Sequence, residues 1–337
     1  MFDSALYKIV GTSALLVSVL ALITNILLFY IIKTHKHFQS MTYKIILVSV
    51  VSDILTAISM AIGGINLFIY NISYSDGLIL CRSIIFLTFA SYGVSMMNLC
   101  LISIERYFHI VRFSSVFFHR RRKMILIVSE VTIWLIAISI NSPLISIINV
   151  YENDTILCDI PVIAIGESIY LVSVALILYI IPCTFLAVVY SKIINHQKNY
   201  IRPGNLSSMQ KVIQQQNKEK FIKLLVLITF SYIFSTWPAF AIFIGLGISQ
   251  TSLKQLQKQN VALFIISLVS ITVTTGIAFI NPLIYLKFDT KIREIFILTV
   301  RKLLLIKNSS NVIHILSSTT GNLPPSKSTE VRKENYP

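Results

Sequence analysis

Hydrophobic residues in this chain form seven long runs separated by shorter polar segments. The runs lie at 9–33, 44–69, 79–105, 124–147, 169–192, 221–247 and 260–286. A helix crosses the roughly 30 Å hydrocarbon core of a bilayer with about 20 apolar residues, so each run is long enough to cross once as a tilted helix. The pattern therefore predicts an all-α membrane protein, a seven-transmembrane helix bundle.

The composition agrees with this prediction. Of the 337 residues, 55% are hydrophobic and 13% are charged, which is too apolar for a soluble domain of this size. Residues 1–8, before the first run, are not followed by a small-residue cleavage pattern. We therefore expect a short N-terminus at 1–8 and a retained first span rather than a signal peptide.

The net charge of +15 is concentrated in alternate connections between the runs. These connections and their flanks carry Lys33, Lys36, Lys44, Arg112, Arg120, Arg121, Arg122, Lys123, Lys192, Lys198, Arg202, Lys211, Lys218, Lys220 and Lys223. Cytoplasmic loops of membrane proteins are enriched in lysine and arginine. The distribution predicts a multi-pass membrane protein with an extracellular N-terminus and a cytoplasmic C-terminus, and we expect it in the plasma membrane. It accounts for the charge without nucleic acid as a partner.

Two of the four cysteines, Cys81 and Cys158, fall in segments predicted to face the oxidising exterior. They are predicted to form a disulfide, and two free thiols are the alternative. Asn71 and Asn153 begin glycosylation sequons on the same predicted outer side, so both are candidate glycosylation sites.

Few polar side chains lie within the runs, and Asp53 is the most notable because it falls near mid-membrane. An ionised side chain at that depth costs about 2.5 to 3.5 kcal/mol on insertion scales, so such positions are candidates for function. One interpretation is a protonated Asp53 hydrogen-bonded to neighbouring helices. The other is an ionised Asp53 that binds a small cation.

The triplet Glu105-Arg106-Tyr107 lies 25 residues after Cys81, at the far end of the third run. A helix that joins Cys81 to Arg106 is about 37 Å long, slightly more than the hydrocarbon core. One end of this helix can carry a disulfide and the other a charged pair that is held or released. That arrangement favours signalling over catalysis.

Other function classes fit the sequence less well. The six histidines lie on or near the predicted cytoplasmic side and lack metal-ligand spacing, so we predict neither an enzyme nor a metal site. Seven unequal runs without visible repeats argue against a secondary transporter. No cofactor is expected. A sodium ion near Asp53 is the one candidate bound ion.

The segment after the seventh run divides into two predicted parts. Residues 288–304 place apolar and basic side chains on different helix faces, which predicts an amphipathic helix lying in the plane of the membrane. Residues 305–337 are polar and rich in serine and threonine, which predicts a disordered cytoplasmic tail. The predicted seven-transmembrane domain then covers 9–287.

In order along these runs, several residues make the chain resemble a rhodopsin-like (class A) G protein-coupled receptor. The matching positions are Asn25, Asp53, Cys81, Ser95, Glu105-Arg106-Tyr107, Trp134, Cys158, Pro182, Tyr190, Pro238 and Asn281-Pro282-Leu283-Ile284-Tyr285. One triplet alone would be weak evidence, whereas the complete ordered set is specific. The resemblance covers roughly residues 9 to 300.

The resemblance implies a receptor that senses an extracellular ligand and activates a heterotrimeric G protein by opening of the sixth helix. The implied switch residues are Glu105, Arg106, Tyr107, Tyr190, Asn281, Pro282 and Tyr285. Asp53, Ser95 and Asn281 form the implied sodium site. Arrestin, receptor kinases and membrane lipid are further implied partners. The alternatives are a ligand-binding receptor that does not couple to G protein and a small-molecule chemosensory receptor.

The ligand pocket is predicted at Thr88, Phe89, Tyr92, Thr236, Trp237 and Phe240. Thr88 occupies the place of the aspartate that amine receptors use, and Thr275 that of the retinal-binding lysine of opsins, so both ligand classes are disfavoured. Trp237 is shifted by one position from the family's tryptophan, which rotates its side chain by about 100°.

Four acidic residues, Glu152, Asp154, Asp159 and Glu167, lie in or near the predicted second outer loop. An acidic entrance would attract a cationic peptide, so the sequence favours a peptide ligand. An ordinary solvated acidic loop is the alternative.

Overall fold

The computed structural model describes residues 2–68, 72–111, 116–199 and 208–302. In this part of the chain, seven helices are long and apolar enough to cross a bilayer. They are Leu6–Thr34, Met41–Asn66, Tyr74–Ile110, Arg120–Ile147, Ile165–Gln197, Leu225–Ser249 and Val261–Phe288. We refer to them as spans 1 to 7. The predicted seven-helix membrane fold is confirmed.

Each span is built from one or more helical segments. The α-helices are Phe2–Thr34, Met41–Asn66, Tyr74–Ile110, Val116–Asn141, Leu144–Ile147, Ile165–Ala175, Ile181–Asn199, Ser208–Ser249, Leu253–Gln259, Val261–Thr275 and Ile277–Phe288. A short 3₁₀ helix occupies Lys36–Phe38, and a π-helical turn occupies Leu176–Ile180. Strands β1 (Asn149–Tyr151) and β2 (Asp154–Asp159) pair as an antiparallel hairpin between spans 4 and 5.

Backbone irregularities coincide with proline and glycine. The π-helical turn in span 5 ends two residues before Pro182, whose missing N–H and bulky ring prevent a regular helical hydrogen bond in the preceding turn. Span 7 is interrupted at Gly276, between its two helical segments. Pro238 lies inside the continuous helix of span 6. These positions give spans 5, 6 and 7 local breaks in the helical ladder about which the segments can bend.

The distribution of side chains is that of a membrane protein. Large apolar side chains are exposed on the outside of the bundle, as at Leu16, Leu135 and Phe234, which are 62%, 61% and 67% exposed. Polar side chains such as Asn25 and Asn98 are completely buried between the helices. Because lipid solvates apolar groups and leaves polar groups without partners, this arrangement suits a bilayer and not water.

Polar groups link the spans to one another. Asn25 of span 1 donates from Nδ2 to the carbonyl oxygen of Ala278 in span 7, at 2.7 Å. The Tyr232 hydroxyl of span 6 donates to the Tyr92 carbonyl oxygen of span 3, at 2.8 Å. Interhelical hydrogen bonds in membranes contribute about 0.6 to 2 kcal/mol each, so such contacts fix the relative positions of the helices.

The bundle has two chemically different ends. At the hairpin end, a disulfide joins Cys81 at the start of span 3 to Cys158 of β2, which confirms the predicted pair. Span 3 approaches the hairpin so closely here that a Cβ atom at Gly77 would lie 2.8 Å from the Thr155 carbonyl oxygen, which requires glycine. The arginine end is defined by Arg106, at the opposite end of span 3.

Beyond span 7, residues 290–302 are helical. This helix overlaps the amphipathic helix predicted at 288–304, and its position in the plane of the membrane stays a prediction. The bundle unit ends at Arg293, and Glu294 begins a second unit. The predicted tail at 305–337 and the candidate glycosylation site Asn71 lie outside the described residues.

Candidate functional site

The arginine end is built around a completely buried carboxylate, that of Glu105 in span 3. Its Oε2 atom lies 3.2 Å from Nε of Arg106, the next residue along the helix. Thr42, at the start of span 2, donates its hydroxyl to the same Oε2 at 3.1 Å. The Arg106 guanidinium in turn donates to the Thr42 hydroxyl oxygen. Glu105, Arg106 and Thr42 therefore form one closed cluster between spans 2 and 3.

A second arginine reaches the same carboxylate, which the sequence analysis did not foresee. Arg122 of span 4 donates from its guanidinium to Oε1 of Glu105 and forms an ion pair with it. Glu105 thus lies between two guanidinium groups, and Arg122 neutralises the carboxylate independently of Arg106. The sequence showed Arg120, Arg121 and Arg122 as a basic triplet, which topology alone explained, so no signal identified Arg122 as a partner.

The other predicted switch residues lie near this cluster or deeper in the bundle. The Tyr190 hydroxyl of span 5 is buried and shares a hydrogen bond of 3.2 Å with Thr229 of span 6. Tyr285 of span 7 is 4% exposed and follows Pro282, which lies inside the helix. Tyr107 stacks edge-to-face on Phe108. In this structure Arg106 is therefore paired with Glu105, and the Tyr190 hydroxyl is hydrogen-bonded to Thr229 of span 6.

The predicted mid-membrane residues are brought together. Asn281 of span 7 donates from Nδ2 to Oδ2 of Asp53 in span 2, at 3.0 Å. Ser95 of span 3 shares a 2.6 Å hydrogen bond with Ser52, the neighbour of Asp53. The amide oxygen of Asn281 has no hydrogen-bond partner among the described residues. Carboxylate, hydroxyl and amide oxygens are the ligands that small hard cations prefer, so these residues fit a sodium ion, which stays a prediction.

A cavity of about 160 Å³ opens at the hairpin end. Spans 1, 2, 3, 6 and 7 surround it, and strand β2 covers it with Ile156, Leu157 and Cys158. Three of the predicted pocket residues, Thr88, Phe89 and Tyr92, line its wall on span 3. The cavity is thus centred closer to spans 1, 2 and 7 than the prediction placed it.

The three predicted pocket residues of span 6 do not line this cavity. Thr236 is buried and donates its hydroxyl to the Tyr232 carbonyl oxygen at 2.8 Å. Phe240 stacks on Tyr179 of span 5, with ring centroids 5.1 Å apart. Trp237 is 50% exposed on the outside of the bundle, so its assignment to the pocket is wrong. The physical reason is the one-residue shift, which turns the side chain from the bundle interior toward lipid.

This position of Trp237 gives a testable prediction. Replacing Trp237 with leucine is expected to leave ligand response and thermal stability nearly unchanged, because substitutions at exposed positions usually change stability by about 0.5 kcal/mol or less. The matched comparison is Phe240→Leu, which removes a buried, stacked ring from the same helix. Concentration–response curves and melting temperatures of both variants provide the measurement. A Trp237→Leu loss as large as that of Phe240→Leu would contradict the assigned position.

The predicted acidic entrance is also altered by the structure. Asp159 is 2% exposed, and its carboxylate accepts hydrogen bonds from the backbone N–H groups of Leu253 and Lys254, both at 2.9 Å. Asp154 pairs with the Lys254 ammonium at 3.3 Å, and Glu167 accepts from the Ala164 N–H at 3.1 Å. Three of the four carboxylates therefore make contacts within the fold, and the attraction of a cationic peptide by this loop stays a prediction.

Tyr151 completes the Asp159 cluster by donating its hydroxyl to Oδ2 at 2.7 Å. Burial and the hydrogen bond to the Asp159 carboxylate raise the pKa of Tyr151 above its ordinary value, so the hydroxyl remains a donor at neutral pH. The Lys254 ammonium lies 4.5 Å from the centre of the Tyr151 ring. The hairpin is thereby joined to the helix Leu253–Gln259, which connects spans 6 and 7.

The fold and the ordered positions agree with one family of proteins. The sequence signature described as 7 transmembrane receptor (rhodopsin family) matches residues 24–285. The chain belongs to this family, the rhodopsin-like (class A) G protein-coupled receptors, which are receptors and not enzymes.

The chain has distant relatives among the neuropeptide receptors. The chain is 25% identical over 277 residues to neuropeptide Y receptor type 2 of Mus musculus and to that of Homo sapiens, an alignment that covers 77% of this chain and 66% of each relative. The receptor of the same name from Sus scrofa is 25% identical over 237 residues, covering 66% of this chain and 57% of the relative. The chain therefore spans about two thirds of the length of the relatives it matches.

Proposed function

We propose that this protein is a plasma-membrane receptor that binds an extracellular peptide and activates a heterotrimeric G protein through opening of span 6. The observation that carries the proposal is the buried Glu105 carboxylate that holds Arg106 at one end of the bundle. An ion pair at the end of a membrane-crossing helix has two arrangements, held and released, and a signal needs such a bistable element. The similarity to receptors named for neuropeptide Y supports a peptide ligand.

In this proposal the hairpin end faces the exterior and the arginine end faces the cytoplasm. Three observations support the orientation. The hairpin end carries a disulfide, which persists in an oxidising environment. Asn153, in the turn of the hairpin, is exposed and begins a glycosylation sequon. Basic residues are concentrated at the arginine end, as the positive-inside rule requires of a cytoplasmic face.

Span 6 has room to move at the arginine end. A cavity of about 560 Å³ separates span 5 from span 6 there, between Ile194 and Gln197 on one side and Ile222, Val226 and Phe230 on the other. Toward the hairpin end the two spans are joined instead, by the Tyr179 hydroxyl, which donates to the Ile233 carbonyl oxygen at 3.0 Å. Pro238 lies five residues from Ile233 and 16 from Ile222, so movement of this part of span 6 about Pro238 would displace Ile233 little and widen the cavity at Ile222 much more.

Opening of span 6 would change the partners of Arg106. It would separate Thr229 from the Tyr190 hydroxyl, which then becomes available to a released Arg106 guanidinium. The widened groove at the arginine end would receive a helix of the Gα subunit, in the manner of other helix-in-groove contacts. Nucleotide exchange on Gα is the output. Arrestin, receptor kinases and lipid are proposed as further partners from the family resemblance.

The proposal is tested by GTP exchange on a panel of Gα subunits. Membranes that contain the receptor are challenged with a neuropeptide library and with an amine panel. We expect exchange on at least one Gα with a peptide and none with amines. In Arg106→Ala, the rate of peptide-stimulated GTP exchange is expected to fall by at least about tenfold, because the Arg106 guanidinium that would stabilise the open state is absent.

Two controls make the result specific. Surface expression of Arg106→Ala is measured by antibody labelling, so that loss of exchange is separated from loss of protein. Arg121→Ala removes an exposed arginine at the start of span 4 and is the matched charge control. Peptide binding without exchange on any Gα would overturn coupling and support the non-coupling receptor. Exchange driven by amines alone would overturn the peptide ligand.

A further inference from the structure

The cavity at the hairpin end has walls without charge. Among the described residues that line it there is no lysine, arginine, histidine, aspartate or glutamate. Its surface is mostly aliphatic, with Ile84, Leu67, Leu268 and Ile271 from three different spans. Since an ion that leaves water needs an opposite charge or several hydrogen bonds in compensation, such walls disfavour a charged occupant.

The carboxylates of the covering strand and Asp53 already have partners within the protein. Asp159 and Asp154, in the strand that covers it, bind backbone N–H groups and the Lys254 ammonium. Asp53 is not among the lining residues, and it accepts a hydrogen bond from Asn281. A cationic group in the cavity would therefore lose water without gaining a counter-ion.

Three buried polar atoms in the wall nevertheless have no partner among the described residues. They are the Asn66 amide oxygen, the Thr88 hydroxyl and the Tyr92 hydroxyl, on residues that are 5%, 4% and 3% exposed. Buried polar groups are nearly always hydrogen-bonded, because an unsatisfied group costs about 1 to 3 kcal/mol. All three groups line the same cavity, so an occupant that bonds to them would satisfy them together.

The size of the cavity limits the occupant to one small group. A volume of about 160 Å³ is much less than a drug-sized ligand fills. It is close to the roughly 150 Å³ of an engineered apolar cavity that binds benzene. One ring-sized side chain or terminal group fits, and the remainder of a larger ligand must stay outside.

We propose that this cavity takes a single uncharged, ring-sized apolar group that carries a hydroxyl or amide. The ring fills the aliphatic space, and the polar group bonds to Asn66 and to the hydroxyls of Thr88 and Tyr92. A hydroxyl or an amide can both donate and accept, which suits this mixed set of partners. In the receptor, the group belongs to the activating ligand, and in that respect the inference rests on the proposed function.

The test uses three probes of nearly equal shape: ethylbenzene, benzyl alcohol and benzylammonium, each with fluorine on the ring. Their dissociation constants are measured by ¹⁹F NMR with purified full-length receptor in micelles. We expect benzyl alcohol to bind up to about tenfold more tightly than ethylbenzene, because it adds one to two hydrogen bonds. Benzylammonium is expected to bind more weakly than either. Equal or tighter binding of benzylammonium would overturn the proposal.

Variants that fill the cavity identify the binding site. Gly63 lines the cavity, and a Cβ atom there would meet only the Ile84 side chain, at 3.7 Å, an ordinary contact. The larger side chain of Gly63→Leu is therefore expected to occupy part of the cavity. Ala239→Leu fills it from span 6. Both variants are expected to abolish saturable binding of benzyl alcohol. Unchanged binding in whichever variant retains a cooperative thermal transition would show that the probe sits elsewhere, which defeats the proposal.

Asn66 variants test the chemistry. Asn66→Leu is expected to remove the advantage of benzyl alcohol over ethylbenzene, and Asn66→Asp to make benzylammonium the tightest probe. Retention of the wild-type order in both variants would contradict the role of Asn66. Probe binding requires neither peptide nor G protein, so the two proposals can fail separately. If the three probes bind in the expected order of affinity but no peptide stimulates GTP exchange, only the proposed function is overturned. If a peptide stimulates GTP exchange but the probes bind in a different order, only the cavity proposal is overturned.

Discussion

Replacing Asp159 with alanine is expected to lower the melting temperature of the receptor by roughly 5 to 10 °C and to reduce the amount that reaches the cell surface. The side chain accepts four hydrogen bonds: from the backbone N–H groups of Ile160, Leu253 and Lys254 and from the Tyr151 hydroxyl. Alanine leaves the buried donors without an acceptor, at about 1 to 3 kcal/mol for each group that water does not reach. The change also separates the hairpin from the connection between spans 6 and 7.

The matched control for this prediction is Asp154→Ala. Asp154 lies on the same strand and pairs with Lys254, but both side chains are about one fifth exposed, at 18% and 21%. Ion pairs in contact with solvent contribute about 0 to 1 kcal/mol, so we expect a shift of no more than a few degrees. Thermal unfolding of both variants in micelles provides the comparison. Equal shifts would show that burial of Asp159 is not the source of the stability.

Replacing Arg122 with leucine is expected to lower nucleotide exchange by about a hundredfold or more, both with and without ligand. Glu105 binds Arg106 and Arg122 at the same time in this structure. When Arg106 leaves during opening, Arg122 remains and keeps the buried carboxylate neutralised. Without Arg122 the open state contains an uncompensated buried charge, which costs about 3 to 5 kcal/mol in proteins. The closed state is not destabilised in this way, because Arg106 still forms an ion pair with Glu105 there.

A double-mutant cycle separates this mechanism from a simple loss of packing. Glu105→Gln removes the charge that Arg122 neutralises, so Arg122→Leu is expected to have little further effect in that background. Arg122→Lys keeps the positive charge and is expected to retain most of the exchange. Basal and stimulated GTP exchange are measured for all variants at equal surface expression. Higher exchange in Arg122→Leu than in wild type would mean that Arg122 holds the closed state, contrary to this account.

The membrane spans could be predicted closely from the sequence, whereas the ends of the helices could not. The last run, 260–286, agrees with span 7, Val261–Phe288. The sixth run, 221–247, marks only part of the helix Ser208–Ser249. Bilayer thickness determines how many consecutive residues are apolar, and hydropathy therefore detects the lipid-embedded part. A helix continues beyond it for as long as capping and solvation of the backbone allow.

The candidate site was predictable where a rare polar residue lies inside a span. Asp53 and Asn281 were identified because polar groups at membrane depth are costly, and they bond to each other across 228 positions of sequence. Glu105 and Arg106 were identified differently, by their position at the end of the third run, 25 residues after Cys81. Their neighbour Arg122 was missed, because basic residues at span ends are common for reasons of topology and give no signal of a specific pair.

The errors at the hairpin end have a different origin. Asp159 and its partners Leu253 and Lys254 are more than 90 positions apart, so the sequence alone did not show that the carboxylate is buried. Trp237 was misplaced because it lies next to the family's tryptophan position, while the one-residue shift turns its side chain to the outside of the bundle. Local pattern predicts which residues form a helix, while the partners of a side chain depend on how distant segments pack.

Opening of span 6 is the central claim, and a distance across the arginine end measures it most directly. Spin labels are placed at the exposed positions Lys123 of span 4 and Lys223, which lies in the helix of span 6 two residues before the span begins. Cys100 and Cys183 are first replaced with serine. Electron–electron double resonance then reports the distance in the ligand-free receptor and in its complex with activating peptide and nucleotide-free G protein. A longer distance in the complex is the predicted result. An unchanged distance distribution in a receptor that still catalyses nucleotide exchange would contradict the account.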